Sequence, residues 1–178
     1  MRISFLAKKV RVMVLKDLGN VRADGEVYEL RKGTEVELPR WLARTLQQQG
    51  IVKILETPLT IDDIARVHFN VFNARSLREL EAVPEYFYLQ VQEYLEELSR
   101  RIREEFNAAL LDERRKAELY MLEIVSRRIT ALLQALRSPA AVAEISSKLS
   151  MEERVLADAM KSLLDDWLKT VVKSNTAP

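Results

Sequence analysis

Gly33-Thr34-Glu35-Val36-Glu37-Leu38-Pro39-Arg40-Trp41-Leu42-Ala43-Arg44-Thr45-Leu46 contains a change of period that decides the front of the fold. Up to Leu38 the apolar residues alternate, Val36 and Leu38 sharing one face as a half-buried strand requires. Beyond Pro39 they recur at helical spacing, as Leu42, Ala43 and Leu46 with Trp41 beside them. Pro39 lacks an N–H, which suits the first turn of a helix, where that group has no partner. The spacing predicts a helix from Arg40 to Gln49, Gly50 as its C-terminal cap, and a returning strand from Ile51 to Leu55. Towards the N-terminus, Val10, Val12 and Val14 mark a strand, Asp24-Gly25 a turn, Glu26 to Leu30 a second strand and Lys32-Gly33 another turn. Residues 1–56 are thus expected to form a small β-rich domain closed by one short helix. Its core motif is Leu38, Pro39, Trp41, Leu42, Ala43, Leu46 and Gly50, with Trp41 as a core anchor.

Thr57-Pro58 marks the boundary to a helical domain expected over residues 57–173, with a loose polar tail at 174–178. Thr60 with Asp63, Ser76 with Glu79 and Ser150 with Glu153 each have capping-box spacing. Ile61, Ile64, Ala65 and Phe69 give the first helix its apolar side; Asn70 and Asn73 suggest the loop after it. Phe87, Val91, Leu95, Leu98, Ile102, Phe106 and Leu110 then step by three or four through one long helix. Leu119, Leu122, Val125, Ile129, Leu132 and Leu136 form the stripe of another, ending at Arg137-Ser138-Pro139. The last helix carries Leu156, Met160, Leu163, Trp167 and Val171. Together these elements define an α+β chain, a small β-rich domain leading into a larger all-α bundle.

The helices carry more apolar surface than one face needs. Met121, Ile124, Ala131 and Ala135 make a second line beside the first; Val155, Leu164 and Leu168 do the same in the last helix. Stripes this wide are expected when a helix meets its own bundle on one side and another chain on the other. The aromatic cluster Tyr86, Phe87, Tyr88 and Tyr94 suits an interface, since tyrosine offers area with few rotors and a polar tip. The expected partner interface is Tyr86, Phe87, Tyr88, Tyr94, Met121, Ile124, Ala131, Leu164, Trp167 and Leu168.

Composition narrows the function. The 178 residues include 28 basic and 27 acidic side chains, a net charge of +1 that argues against a dedicated clamp on nucleic acid. The first 56 residues hold 11 basic and 7 acidic side chains, so weak DNA contact by the front domain stays open. The chain has no cysteine and one histidine, His68, which leaves no thiolate or paired-histidine metal site. The four glycines are dispersed at turns, so there is no phosphate-binding loop. Adjacent basic pairs such as Arg127-Arg128 read as helix surface. No catalytic residue and no cofactor are expected, and the chain is read as no enzyme. No apolar run approaches a membrane span and no signal sequence is evident, so a cytoplasmic location is expected.

The run Gly33 to Leu46, closing at Gly50-Ile51-Val52, resembles the small β domain of archaeal GINS subunits. The order of domains is similar to the β-first type, related to the eukaryotic Psf-two and Psf-three subunits. The resemblance covers nearly the whole chain, the helical part by length and pattern more than by motif. It implies a non-catalytic role in DNA replication at the fork, in the nucleoid. Such a subunit assembles with a helix-first GINS partner in a two-plus-two tetramer, which bridges the MCM helicase and a RecJ-like (Cdc-forty-five-related) protein. The alternative from the residues alone is a helical dimeric regulator that binds nucleic acid through its basic front domain.

Overall fold

The computed structural model describes residues 2–173, so the expectation for the tail at 174–178 lies outside the described residues. The chain divides into two compact units, residues 1–58 and 59–178, two residues beyond the boundary read from the sequence. The architecture is α+β, two small antiparallel sheets followed by a larger helical part.

The first unit begins with a short helix that the sequence reading did not foresee, α1 (Arg2–Ala7), whose Phe5 is buried. Strand β1 (Lys9–Val14) follows, with Val10, Val12 and Val14 all buried on one face. β2 (Gly19–Ala23) pairs with β3 (Glu26–Leu30) as a hairpin in which Ala23 opposes Glu26. Its two-residue turn, Asp24-Gly25, has φ of +52° and +81°. That is the primed turn whose twist matches the strands. The sequence reading missed β2, because Gly19, Asn20 and Arg22 are exposed and only Ala23 is buried. β1 is the centre of the other sheet, antiparallel both to β4 (Glu35–Pro39) and to β5 (Val52–Ile54).

Helix α2 (Arg40–Gln48) closes the unit by burying Leu42, Ala43 and Leu46. Pro39 is the last residue of β4 and the N-cap of α2 rather than its first turn. At the other end Gly50 has φ +67°, its N–H donates to the Gln47 carbonyl at 2.9 Å, and the Ile51 N–H donates to the Leu46 carbonyl at 2.9 Å. These two bonds are the Schellman closure that a positive-φ glycine permits. Trp41 is not a core anchor. It is 38% exposed, and its indole N–H donates to the Asp24 carboxylate at 3.0 Å, pinning α2 to the hairpin turn.

The second unit opens with α3 (Ile61–Asn73), capped as the spacing predicts. The Thr60 N–H donates to the Asp63 carboxylate at 3.0 Å, and the Asp63 N–H donates to the Thr60 hydroxyl at 3.3 Å. Asn70 and Asn73 remain helical instead of forming a loop. Ser76 and Glu79 do not make a capping box: the segment is a turn, and the Glu79 carboxylate accepts from the Arg75 N–H at 2.9 Å.

The long helix expected through Leu110 is two helices, α4 (Phe87–Glu104) and α5 (Ala108–Ala135). Asn107 caps the second by accepting from the Ala109 N–H at 2.9 Å, and Phe106 lies 78% exposed at the joint. Both α3 and α4 pack on α5, around a core of Ile64, Val83, Phe87, Val91, Ala117 and Ile124. Pro139 opens a further short helix, α6 (Pro139–Ser146), and α7 (Met151–Lys173) ends the described chain. Leu132, Ala135, Ile145 and Leu149 form a second, smaller core where α5 meets α6.

Candidate interaction surface

The root of α7 is held by a knot of buried polar groups. Ser150 and Glu153 form the expected capping box: the Ser150 N–H donates to the Glu153 carboxylate at 2.9 Å, and the Glu153 N–H donates to the Ser150 hydroxyl at 3.2 Å. The same carboxylate is gripped by Arg128 of α5 through Nε and, at 2.8 Å, through Nη2. Both partners are almost fully buried, at 1% and 4% side-chain exposure. Arg128 also donates to the Glu81 carbonyl at 3.0 Å and to the Lys148 carbonyl at 2.9 Å. The Tyr88 hydroxyl adds a fourth donor to Glu153 at 2.6 Å. Burial, and then the Glu153 charge, hold the Tyr88 hydroxyl far above the ordinary tyrosine range, so it stays a donor.

Removing two charges from water is costly and is offset only where geometry and further hydrogen bonds are good. Here every arm of the pair is used. The Met151 N–H also donates to the Glu85 carbonyl at 2.7 Å, so the knot fixes the direction in which α7 starts.

Glu152 has a different environment. Its Oε1 accepts from the Leu89 N–H at 3.1 Å; Oε2 is buried and has no hydrogen-bond partner among the described residues. Glu152 lines an open groove of about 180 Å³ with Tyr88, Val125, Ile129, Leu132 and Leu156, whose exposed surface is nearly all apolar.

Beyond the groove α7 is open along its length among the described residues of the helical unit. Every described residue from Lys161 to Val172 is exposed, including Leu163 at 71%, Trp167 at 60% and Val172 at 63%. Leu156, Met160, Leu163, Leu164, Trp167 and Val171 nevertheless share one face by their 3.6-residue period, with Asp158, Asp165 and Lys169 on the other. A helix in this position gains little from propensity alone and needs a packed apolar face to persist. α5 presents a second uncovered stripe, Leu119, Leu122, Ile129 and Leu133, all exposed.

The residues expected at a partner interface are therefore divided. Leu164, Trp167 and Leu168 are exposed on α7. Tyr86, Phe87 and Ile124 are buried in the unit's own interior, Phe87 and Ile124 with no exposed surface, so they are core rather than interface. Tyr88, Tyr94, Met121 and Ala131 are half-buried. Tyr88 and Tyr94 use their hydroxyls internally, on Glu153 and Glu113. On α5 the two apolar lines are partly exchanged, and Leu132 of the first line is buried as expected. Ile124 and Ala135, read as surplus, face inward, whereas Leu119, Leu122 and Ile129, read as the packed stripe, face out.

Arg128, read as surface, is the centre of the inward face. His68 lies against α5, bonded to Glu123 and stacked on Tyr120 at 4.5 Å. No described helix is long and apolar enough to cross a membrane, and no group of three or more metal-ligating side chains is gathered among the described residues.

Comparison with known proteins returns no matching family model and no matching curated protein.

Proposed function

We propose that this chain is a non-catalytic assembly subunit whose helical unit packs against other polypeptides, and that it serves as a β-first GINS-type subunit in DNA replication. The observation that carries the first part is the uncovered apolar face of α7. A row of leucines, a tryptophan and valines on a helix that starts from a rigid buried knot is surface built to be covered. Burying each such side chain is worth on the order of 1–3 kcal/mol. The exposed stripe on α5 offers a second contact, so the unit can join two neighbours at once.

The replication reading rests on the Gly33 to Leu46 resemblance and on a β-rich unit standing before the helices. In that reading the partners are a helix-first GINS subunit, the MCM helicase and a RecJ-like protein, and the place of action is the fork in the nucleoid. Co-expression with a helix-first archaeal GINS subunit, followed by mass measurement of the purified particle, tests it. A stable stoichiometric complex is expected. A chain that stays separate from that subunit contradicts the replication assignment.

A further inference from the structure

We infer that the Asp24-Gly25 turn is a site of spontaneous backbone modification, the conversion of Asp24 to isoaspartate through a cyclic imide, and that the Trp41 indole restrains this reaction in the folded chain. The inference is independent of what covers α7.

The reaction needs a carboxyl one carbon from the backbone and a following amide nitrogen open to attack. Asp24 and Gly25 supply both, exposed at the tip of the β2–β3 hairpin. Glycine has no side chain to shield its nitrogen, and no atom stands within 4 Å of the place a Cβ would take at Gly25. In a two-residue primed turn the ladder closes on the flanking pair, here Ala23 and Glu26, so the Gly25 N–H carries no ladder bond. No other aspartate or asparagine of the chain precedes a glycine.

In the first step the Gly25 nitrogen bonds to Asp24 Cγ. The N–H proton, one carboxyl oxygen and one proton from solvent leave together as water. The five-membered ring closes within one chain, so proximity replaces a bimolecular encounter. Water then adds back to one of the two imide carbonyls. Opening at Cγ restores aspartate. Opening at the Asp24 main-chain carbonyl carries the backbone through Cβ and Cγ and leaves a free α-carboxylate. The chain is then one methylene longer, in a turn whose length sets Ala23 opposite Glu26.

The brake sits on α2. The indole N–H of Trp41, its single donor, bonds Asp24 Oδ2 at 3.0 Å. That bond ties the carboxylate to the helix, whereas ring closure brings Cγ onto the main chain and turns the carboxylate into an imide carbonyl. The two compete. A tryptophan that is half-exposed and outside the buried core thereby has a task that packing does not supply.

The test ages the full chain at mildly acidic pH with gentle warming, then digests it with trypsin. Residues 23–31, released by cleavage after Arg22 and Arg31, contain Asp24 as their sole aspartate, so isoaspartate in that peptide belongs to it. Chromatographic retention and electron-transfer fragmentation read it. Isoaspartate is expected at Asp24 ahead of every other aspartate. Trp41→Phe should form it about fivefold faster, the rate equivalent of one net hydrogen bond. In urea, where the bond is gone from both, the two chains should react equally. Leu42→Ala loosens the same unit without touching the bond, and while circular dichroism shows it folded it should react near the natural rate. No isoaspartate at Asp24 in either the natural chain or Trp41→Phe overturns the site. Equal rates in the two folded chains overturn the restraint, as does a difference that persists in urea. A rate in Leu42→Ala as high as that of Trp41→Phe also overturns it, by sending the reaction through the unfolded chain.

Discussion

Replacing Arg128 by alanine should be among the most damaging single changes in the helical unit. The substitution deletes four hydrogen bonds, two to Glu153 and one each to the carbonyls of Glu81 and Lys148. It leaves Glu153 buried at 4% exposure with its charge opposed by no cation, retaining only the Tyr88 hydroxyl and the Ser150 N–H. Breaking one side of a buried pair costs about 3–5 kcal/mol, chiefly through the charge left behind. For a unit of this size that lowers Tm by roughly 10 °C or more. Thermal and urea unfolding followed by helical circular dichroism measures it. Arg128→Met combined with Glu153→Gln removes both charges and keeps a capping side chain, so it should recover a good part of the loss. A cost below about 1 kcal/mol for Arg128→Ala, the value of an exposed pair, would refute the claim that this knot sets the root of α7.

Other expectations follow from single contacts. The Asp63 carboxyl is held below its ordinary value, first by the Thr60 hydroxyl and then by the Thr60 backbone N–H. Its contribution is therefore present above the unfolded-state pKa and is lost as pH falls through the lower folded value. The helical unit should weaken on acidification below about pH 4, and Asp63→Asn should flatten that part of the stability–pH profile. Trp41→Phe removes one half-exposed hydrogen bond to Asp24 and should cost no more than about 1 kcal/mol. Leu42→Ala, one residue on but buried, should cost about 2–5 kcal/mol in the same unfolding assay. Ser150→Ala removes the hydroxyl that caps the Glu153 N–H and should cost about 1 kcal/mol.

The front unit was legible where side chains alternate strictly or a turn residue is unavoidable. Val10, Val12 and Val14, the change of period after Leu38 and Gly50 all occupy the positions their pattern implies, Pro39 standing one place earlier as the N-cap. β2 was not legible, since it is a hairpin edge with little buried surface and its register comes from the Asp24-Gly25 turn. The joint between α4 and α5 was hidden by coincidence. Phe106 and Leu110 continue the three- and four-residue steps across the break, and the N-cap signal of Asn107 is the residue that reveals it.

The partial exchange of faces on α5 centres on one residue. Arg128 lies four residues after Ile124 and four before Leu132, in the middle of the buried line. Apolar spacing alone passes over Arg128 and so favours the neighbouring stripe of leucines and isoleucine. Its acid partner is twenty-five residues away, on α7, and periodicity carries no information about a pair so separated. The orphan oxygen of Glu152 is likewise a product of packing, invisible in a first-turn glutamate that reads as ordinary dipole compensation.

The central claim is that another polypeptide covers the apolar face of α7, and amide hydrogen exchange across residues 161–172 of the full chain tests it most directly. If a second chain covers the face, exchange there slows at high protein concentration and quickens on dilution, while α5 stays protected throughout. Exchange across α7 that is equally fast at every concentration, with or without an added helix-first subunit, would contradict the account.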